Sequence, residues 1–154
     1  MSDSMANAGA KTDAKPDAKP DGGIVTAAVL VIGDEILSGR TKDKNIGYIA
    51  EYLTGIGIDL KEVRVVPDEE PEIVGAVNAL RARYTYLFTT GGIGPTHDDI
   101  TADCVAKAFG LPLEYHPRAV EIMQARVALT GGAMNEARMR MTRVPAGGEL
   151  VLNK

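Results

Sequence analysis

With 154 residues the chain is long enough for one domain with a real core and short for two. Hydrophobic residues make up 45% and charged residues 25%, an ordinary globular balance, and a formal net charge of -4 argues against a nucleic-acid partner, whose phosphates require a basic face. The single cysteine excludes an intrachain disulfide, no run approaches the about 20 apolar residues of a membrane span, and the N-terminus lacks a basic segment followed by an apolar one, so no membrane partner and a cytoplasmic location are expected.

The opening segment, MSDSMANAGAKTDAKPDAKPDGG, has no large aliphatic residue besides two methionines and carries the near-repeat DAKPDAKPD. It cannot bury enough surface to offset the entropy of ordering, and residues 1–23 are expected to be a disordered tail. A charged arm is the sharper reading, but its lysines and aspartates nearly cancel.

Residues 24–154 are expected to form the domain. IVTAAVLVI is a continuous β-branched and aliphatic run, suited to a strand covered on both faces. Residues 44–54 place Ile46, Ile49, Ala50 and Leu53 on one helical face, closed by Gly55 and Gly57. IDLKEVRVV alternates apolar and polar residues, as a strand nearer an edge does. PEIVGAVNALRARY follows as a helix, with Pro71 in its first turn and Ile73, Val77 and Leu80 on one face. YTYLFTT reads as the third strand and residues 99–109 as the third helix, stopped by Gly110 and Pro112.

This alternation implies crossovers and a mostly parallel sheet with helices on both faces, an α/β three-layer sandwich. Beyond Leu113 the alternation lapses. A helix is expected over 118–129, a break at Gly131 and Gly132, a helical piece over 135–141 and a final strand-like ELVL; an inserted lobe and a peripheral strand pair both fit.

Ligands of open parallel sheets bind beyond the carboxyl ends of the strands. Three such ends occur here, and all carry acids: Gly33-Asp34-Glu35 with the loop from Ser38 to Lys42, then Pro67-Asp68-Glu69-Glu70, then TTGGIGPTHDD. Acids at helix starts are also ordinary caps, and Asp34, Asp68, Glu69 and Glu70 each fit that role alone. The third turn asks for more than a cap. Gly91, Gly92 and Gly94 allow close backbone approach to an anion, and the helix that follows presents its positive end. Asp98 and Asp99 stand beside that site, where carboxylate and phosphate repel; a divalent cation held by both reconciles them. The turn therefore reads as a phosphate site that works with a metal.

Neither G-x-x-x-x-G-K-[ST] nor G-x-G-x-x-G is present, the latter failing at His97 where its third glycine belongs. His97 with neighbouring aspartates is not a tetrahedral zinc set, and His116 stands apart before a proline. Cys104, mid-helix beside Val105, is expected in the core rather than as a nucleophile. The arginines of EARMRMTRVP fit a solvated helix face, with contact to an anionic ligand as the other reading.

GGIGPTHDDIT resembles the signature of the molybdopterin-binding domain family, which includes the MoaB and MogA cofactor-biosynthesis proteins and the N-terminal domain of CinA. Its Gly-Pro-Thr and paired aspartates are the CinA form. VIGDEILSGRTKDKN, ending in Asn45, is similar to the family's first strand and loop, VVPDEE to the segment with its first functional aspartate, and Asn135 with VPAGGELVLN to its C-terminal approach. The resemblance spans residues 25–153 and implies that fold. It places the two functional aspartates, the catalytic pair, on Asp68 and Asp99, with Asp98 joining them at magnesium or another divalent cation. It gives the ligand, molybdopterin or an adenine nucleotide, the turn Gly91, Gly92, Gly94, Pro95 and Thr96 together with Ser38 and Asn45. It implies magnesium-dependent adenylylation of molybdopterin in one branch and pyrophosphate cleavage of ADP-ribose-like nucleotides in the other. It also implies a homo-oligomer, and a non-catalytic oligomerisation module is the third reading. Family members continue beyond the position of Lys154 through a glycine- and proline-containing segment and more sheet, so a domain shortened at its C-terminus is expected.

Overall fold

The structure, a computed structural model, describes residues 23–152. The tail expected at residues 1–23 lies outside the described residues except for Gly23. A three-stranded parallel sheet has β1 (Thr26–Ile32) at its centre, with β2 (Asp59–Val66) on one side and β3 (Tyr86–Thr90) on the other. Residues 27–32 are all buried, which fits their uninterrupted apolar run after the partly exposed Thr26. β2, at an edge, alternates between exposed and partly covered residues, as its sequence does.

Ala28, Leu30 and Ile32 point to one face of the sheet. There they meet Ile73, Ala76, Val77 and Leu80 of α3 (Glu70–Arg81), with Cys104 and Ala108 of α4 (Thr101–Phe109) completing that core. The expected spacing on α3 is the one observed, with Pro71 in its first turn. The opposite face carries Ala27, Val29 and Val31, and with them Tyr86 and Phe88. Those two aromatics line a groove with α2 (Asn45–Gly55), which buries Leu53. Helix, sheet and helices thus form three layers, as the α/β expectation requires.

Several boundaries differ from the sequence reading. A short α1 (Asp34–Leu37) follows β1 directly, where periodicity gave no helix because four residues are too few to show one. α4 begins at Thr101 rather than Asp99, because the Asp99 carboxylate folds back onto Thr96. The strand expected at ELVL is absent, and Val151 and Leu152 are exposed. The outer pair is instead β4 (Leu113–Tyr115) with β5 (Arg143–Pro145), antiparallel, with α5 (Pro117–Leu129) and α6 (Glu136–Arg140) between them. Asn135 caps α6, accepting from the Arg138 N–H at 2.9 Å. Arg143 ties this pair to the main body through two contacts with Asp103, at 3.3 and 2.9 Å.

Candidate functional site

The carboxyl ends of all three strands converge. At the end of β1, the Gly33 N–H donates to the Val66 carbonyl at 3.1 Å, and the Asp34 N–H donates to Asp68 Oδ2 at 3.0 Å. Asp68 is therefore not the cap of α3, whose N-cap is Glu69; its carboxylate ties the end of β2 to the start of α1. This corrects the capping alternative for Asp68 with a bond that no local pattern encodes.

The glycine turn after β3 is shaped by the chain itself. Gly91 has φ 90, and a Cβ there would lie 1.9 Å from the Ile32 carbonyl oxygen. Gly92 has φ 59, and its Cβ would lie 2.4 Å from Thr101 Oγ1. The buried Thr101 holds both residues: its hydroxyl donates to the Gly91 carbonyl at 2.9 Å and its N–H to the Gly92 carbonyl at 3.2 Å. At Gly94 a Cβ would meet the Asp99 carboxylate at 2.7 Å, so the missing side chain makes room for that acid.

Asp99 accepts from the Thr96 N–H at 2.8 Å and the Thr96 hydroxyl at 2.5 Å. Partial burial pulls its carboxyl upward, but the hydrogen bonds from the Thr96 side chain and the Gly94 and Thr96 backbone, with the charge of Arg140, outweigh that and hold it below its ordinary value of 3.8. Asp99 is ionised at neutral pH. Asp98 is more exposed and sits 2.6 Å from His97 Nε2, on a histidine that is itself 90% exposed.

These groups face a cavity of about 460 Å3. Its lining holds Asp34, Glu35, Asp68, Asp98 and Asp99 against a single guanidinium, Arg40, with Gly92 and Thr96 completing the wall on the β3 side. The structure therefore brings Asp68, Asp98, Asp99, Gly92 and Thr96 together. Gly91 and Asn45 line a neighbouring cavity instead. Ser38, Gly94 and Pro95 do not line the acidic one, though Ser38 accepts from Arg40 Nε at 3.0 Å and so helps to place that side chain. Sequence reasoning underweighted Asp34, Glu35 and Arg40; the available signal was their position just after a buried strand. Of the arginines near the C-terminus, Arg140 acts on Asp99 and Arg143 is engaged by Asp103.

Among the described residues no group of three or more His, Cys, Asp or Glu side chains is gathered closely enough to hold a metal ion by itself. Cys104 is 1% exposed, and burial, with Glu70 and Asp103 nearby, pushes its thiol up to about 11, as befits a core residue. Among the described residues no helix is long and apolar enough to cross a membrane.

Residues 28–148 match the family model described as a probable molybdopterin binding domain. A CinA-like protein from Myxococcus xanthus is 35% identical over 125 residues, covering 81% of this chain and 30% of that protein. A protein from Caldivirga maquilingensis is 38% identical over 127 residues, covering 82% and 49%. The chain thus spans less than half the length of these relatives. Among solved structures, the protein CinA of unknown function from Thermoplasma acidophilum superposes with a TM-score of 0.72 at 31% identity, covering 79% of this chain and 70% of that one. MoaB from Thermus thermophilus gives 0.52 at 24% identity, covering 66% and 63%, a likeness of fold alone.

Proposed function

The chain belongs to the molybdopterin-binding domain family, and from that premise we propose that its acidic cavity binds the phosphate-bearing end of a pterin or nucleotide together with a divalent cation. One observation carries the reading: Asp68 and Asp99, from different strand ends, line one cavity with five carboxylates and one guanidinium. Such a lining repels bare phosphate, so a cation has to accompany it. The donor set fits a hard cation such as magnesium, which is usually held by one or two carboxylates plus ligand phosphates rather than by a protein cage.

Asp68 and Asp99 are the residues that would hold the cation, with Asp98 at the mouth. When bound, the cation supplies neutralisation and polarisation of phosphoryl oxygens. Asp99 stays charged because Thr96 donates to it twice, and Arg40, steadied by Ser38, offers the one cationic side chain of the lining to a phosphate oxygen. In a transferase, this arrangement aligns a nucleotide phosphate with a pterin phosphate. A second reading is the one the CinA form of GGIGPTHDDIT implies: the same cavity cleaves the pyrophosphate of ADP-ribose-like nucleotides.

Calorimetric titration with molybdopterin, ATP and ADP-ribose, each with and without magnesium, tests both readings. Saturable binding is expected only with magnesium, and the ligand that binds selects between them. Equally tight binding without any divalent cation sinks the proposal.

A further inference from the structure

β3 is only partly covered on the α2 side of the sheet, and none of its residues is buried. The groove of about 340 Å3 between α2 and β3 is lined only by aliphatic and aromatic residues, among them Tyr48, Tyr52, Ile56, Tyr86 and Phe88. Its tyrosines stand largely in solvent: Tyr48 is 72%, Tyr52 59% and Tyr86 49% exposed, with Ile56 beside them at 55%. A surface helix normally turns charged residues outward, yet α2 carries a single charge, Glu51, in its 11 residues.

The two edges of the sheet differ in the same sense. β2 carries Asp59, Lys61, Glu62 and Arg64, charges of the kind that keep an edge from pairing with another chain. β3 reads YLFTT, with no charge and no proline, and among the described residues no strand pairs with its outer edge. An open neutral strand edge beside an apolar groove is unfavourable in water, and a further strand carrying apolar side chains satisfies both.

We infer that a second copy of this chain covers this surface. Antiparallel pairing of β3 with its counterpart, across a twofold axis normal to the sheet, joins two three-stranded sheets into one and puts both α2 helices on the same face. Tyr48 and Tyr52 of one copy then meet those of the other over Tyr86 and Phe88, and two half-open grooves close into one core. Such a contact is isologous, so it closes at two copies and leaves only the charged β2 edges exposed. A whole tyrosine offers about 200 Å2, so the exposed parts of the three tyrosines supply roughly 350 Å2 per copy and about 700 Å2 per pair. Ile56 and the two strand edges raise this to about 1,000 Å2, where specific interfaces begin. The inference does not depend on what the acidic cavity binds.

Sedimentation equilibrium of the full chain, as wild type, Tyr52→Glu, Tyr48→Lys and Leu129→Glu, tests the contact. Wild type should be dimeric at about 50 µM and dissociate on dilution, and its β3 amides should exchange more slowly in the dimer than in the diluted chain. Tyr52→Glu and Tyr48→Lys each put an unpaired charge into the closed core and should weaken association about 30-fold or more, the effect of losing a central anchor. Leu129→Glu adds the same charge as Tyr52→Glu at an exposed residue outside the groove and should associate as wild type does. Because Tyr48 and Tyr52 are exposed in the single chain, both tyrosine variants should melt with the diluted wild type, so lost association is not misfolding. If a variant melts early, the concentration dependence of β3 exchange in the wild type decides. A wild-type chain that is monomeric at about 50 µM overturns the inference, whatever else covers the groove. So does a dimer that both tyrosine variants leave intact, one that Leu129→Glu weakens equally, or one whose β3 exchange is indifferent to concentration.

Discussion

Replacing Asp99 by asparagine removes a charge while keeping the shape of the side chain. In the native turn one carboxylate oxygen accepts from both the Thr96 N–H and the Thr96 hydroxyl, at 2.8 and 2.5 Å. An amide oxygen still accepts these bonds, without charge assistance. Hydrogen bonds to charged groups contribute roughly 1.5–3 kcal/mol and neutral ones roughly 0.5–1.5, so in a partly solvated turn the change should cost about 1 kcal/mol. For a domain of this size that lowers the melting temperature by about 3–6 °C and leaves it folded. Binding should suffer more, because the negative charge faces the cavity: magnesium-dependent affinity should fall about tenfold or further. Calorimetric titration and a thermal melt on the same sample separate the two effects. Native affinity beside the small thermal shift would refute the cation role and leave Asp99 as a turn-closing residue. A pH series gives an independent check. A carboxyl lowered in the folded state stabilises above its unfolded value and loses that contribution as pH falls through the folded value. The stability difference between wild type and Asp99→Asn should therefore be flat between about pH 5 and 8 and close below about pH 4.

Gly92→Val should destabilise the fold by about 2–4 kcal/mol, through a positive φ and a Cβ driven against Thr101 Oγ1; a native-like melt would show that the turn relaxes easily. Cys104, buried and with its thiol raised to about 11, should not react with a thiol-specific disulfide reagent at pH 8 until denaturant is added; prompt labelling of folded protein would show an opening motion through α4. Replacing Arg143 by methionine should cost about 1 kcal/mol and raise amide exchange in β4 and β5 first, since its bond to Asp103 links that pair to α4; uniform exchange would place the pair within the main cooperative unit.

The elements legible in the sequence are those whose signal is local and long. β1 has an uninterrupted apolar run, and α3 repeats its buried residues at 73, 77 and 80 with a proline in its first turn. β4 and β5 are three residues each, too short to show a period, and Leu113 meets Pro145 across an intervening helical segment. ELVL has strand-like composition but no pairing partner, and composition alone does not make a ladder. The acids present a different difficulty: a carboxylate that caps a helix and one that lines a site look alike in sequence. What separates them for Asp68 is a single bond to the Asp34 N–H from a segment 34 positions away. The glycines carry the sharpest lesson. Their number in the sequence suggests room for a phosphate; in the structure a Cβ at Gly91 would meet the Ile32 carbonyl and one at Gly92 the Thr101 hydroxyl. Gly94 is needed by the Asp99 carboxylate. The glycine run is thus the means by which three backbone segments close on one another and by which an ionised aspartate is delivered to the cavity. Because each glycine has such a packing role, a substitution there perturbs the fold and the proposed site together, and this makes Asp99 a more discriminating residue to test than any of the glycines.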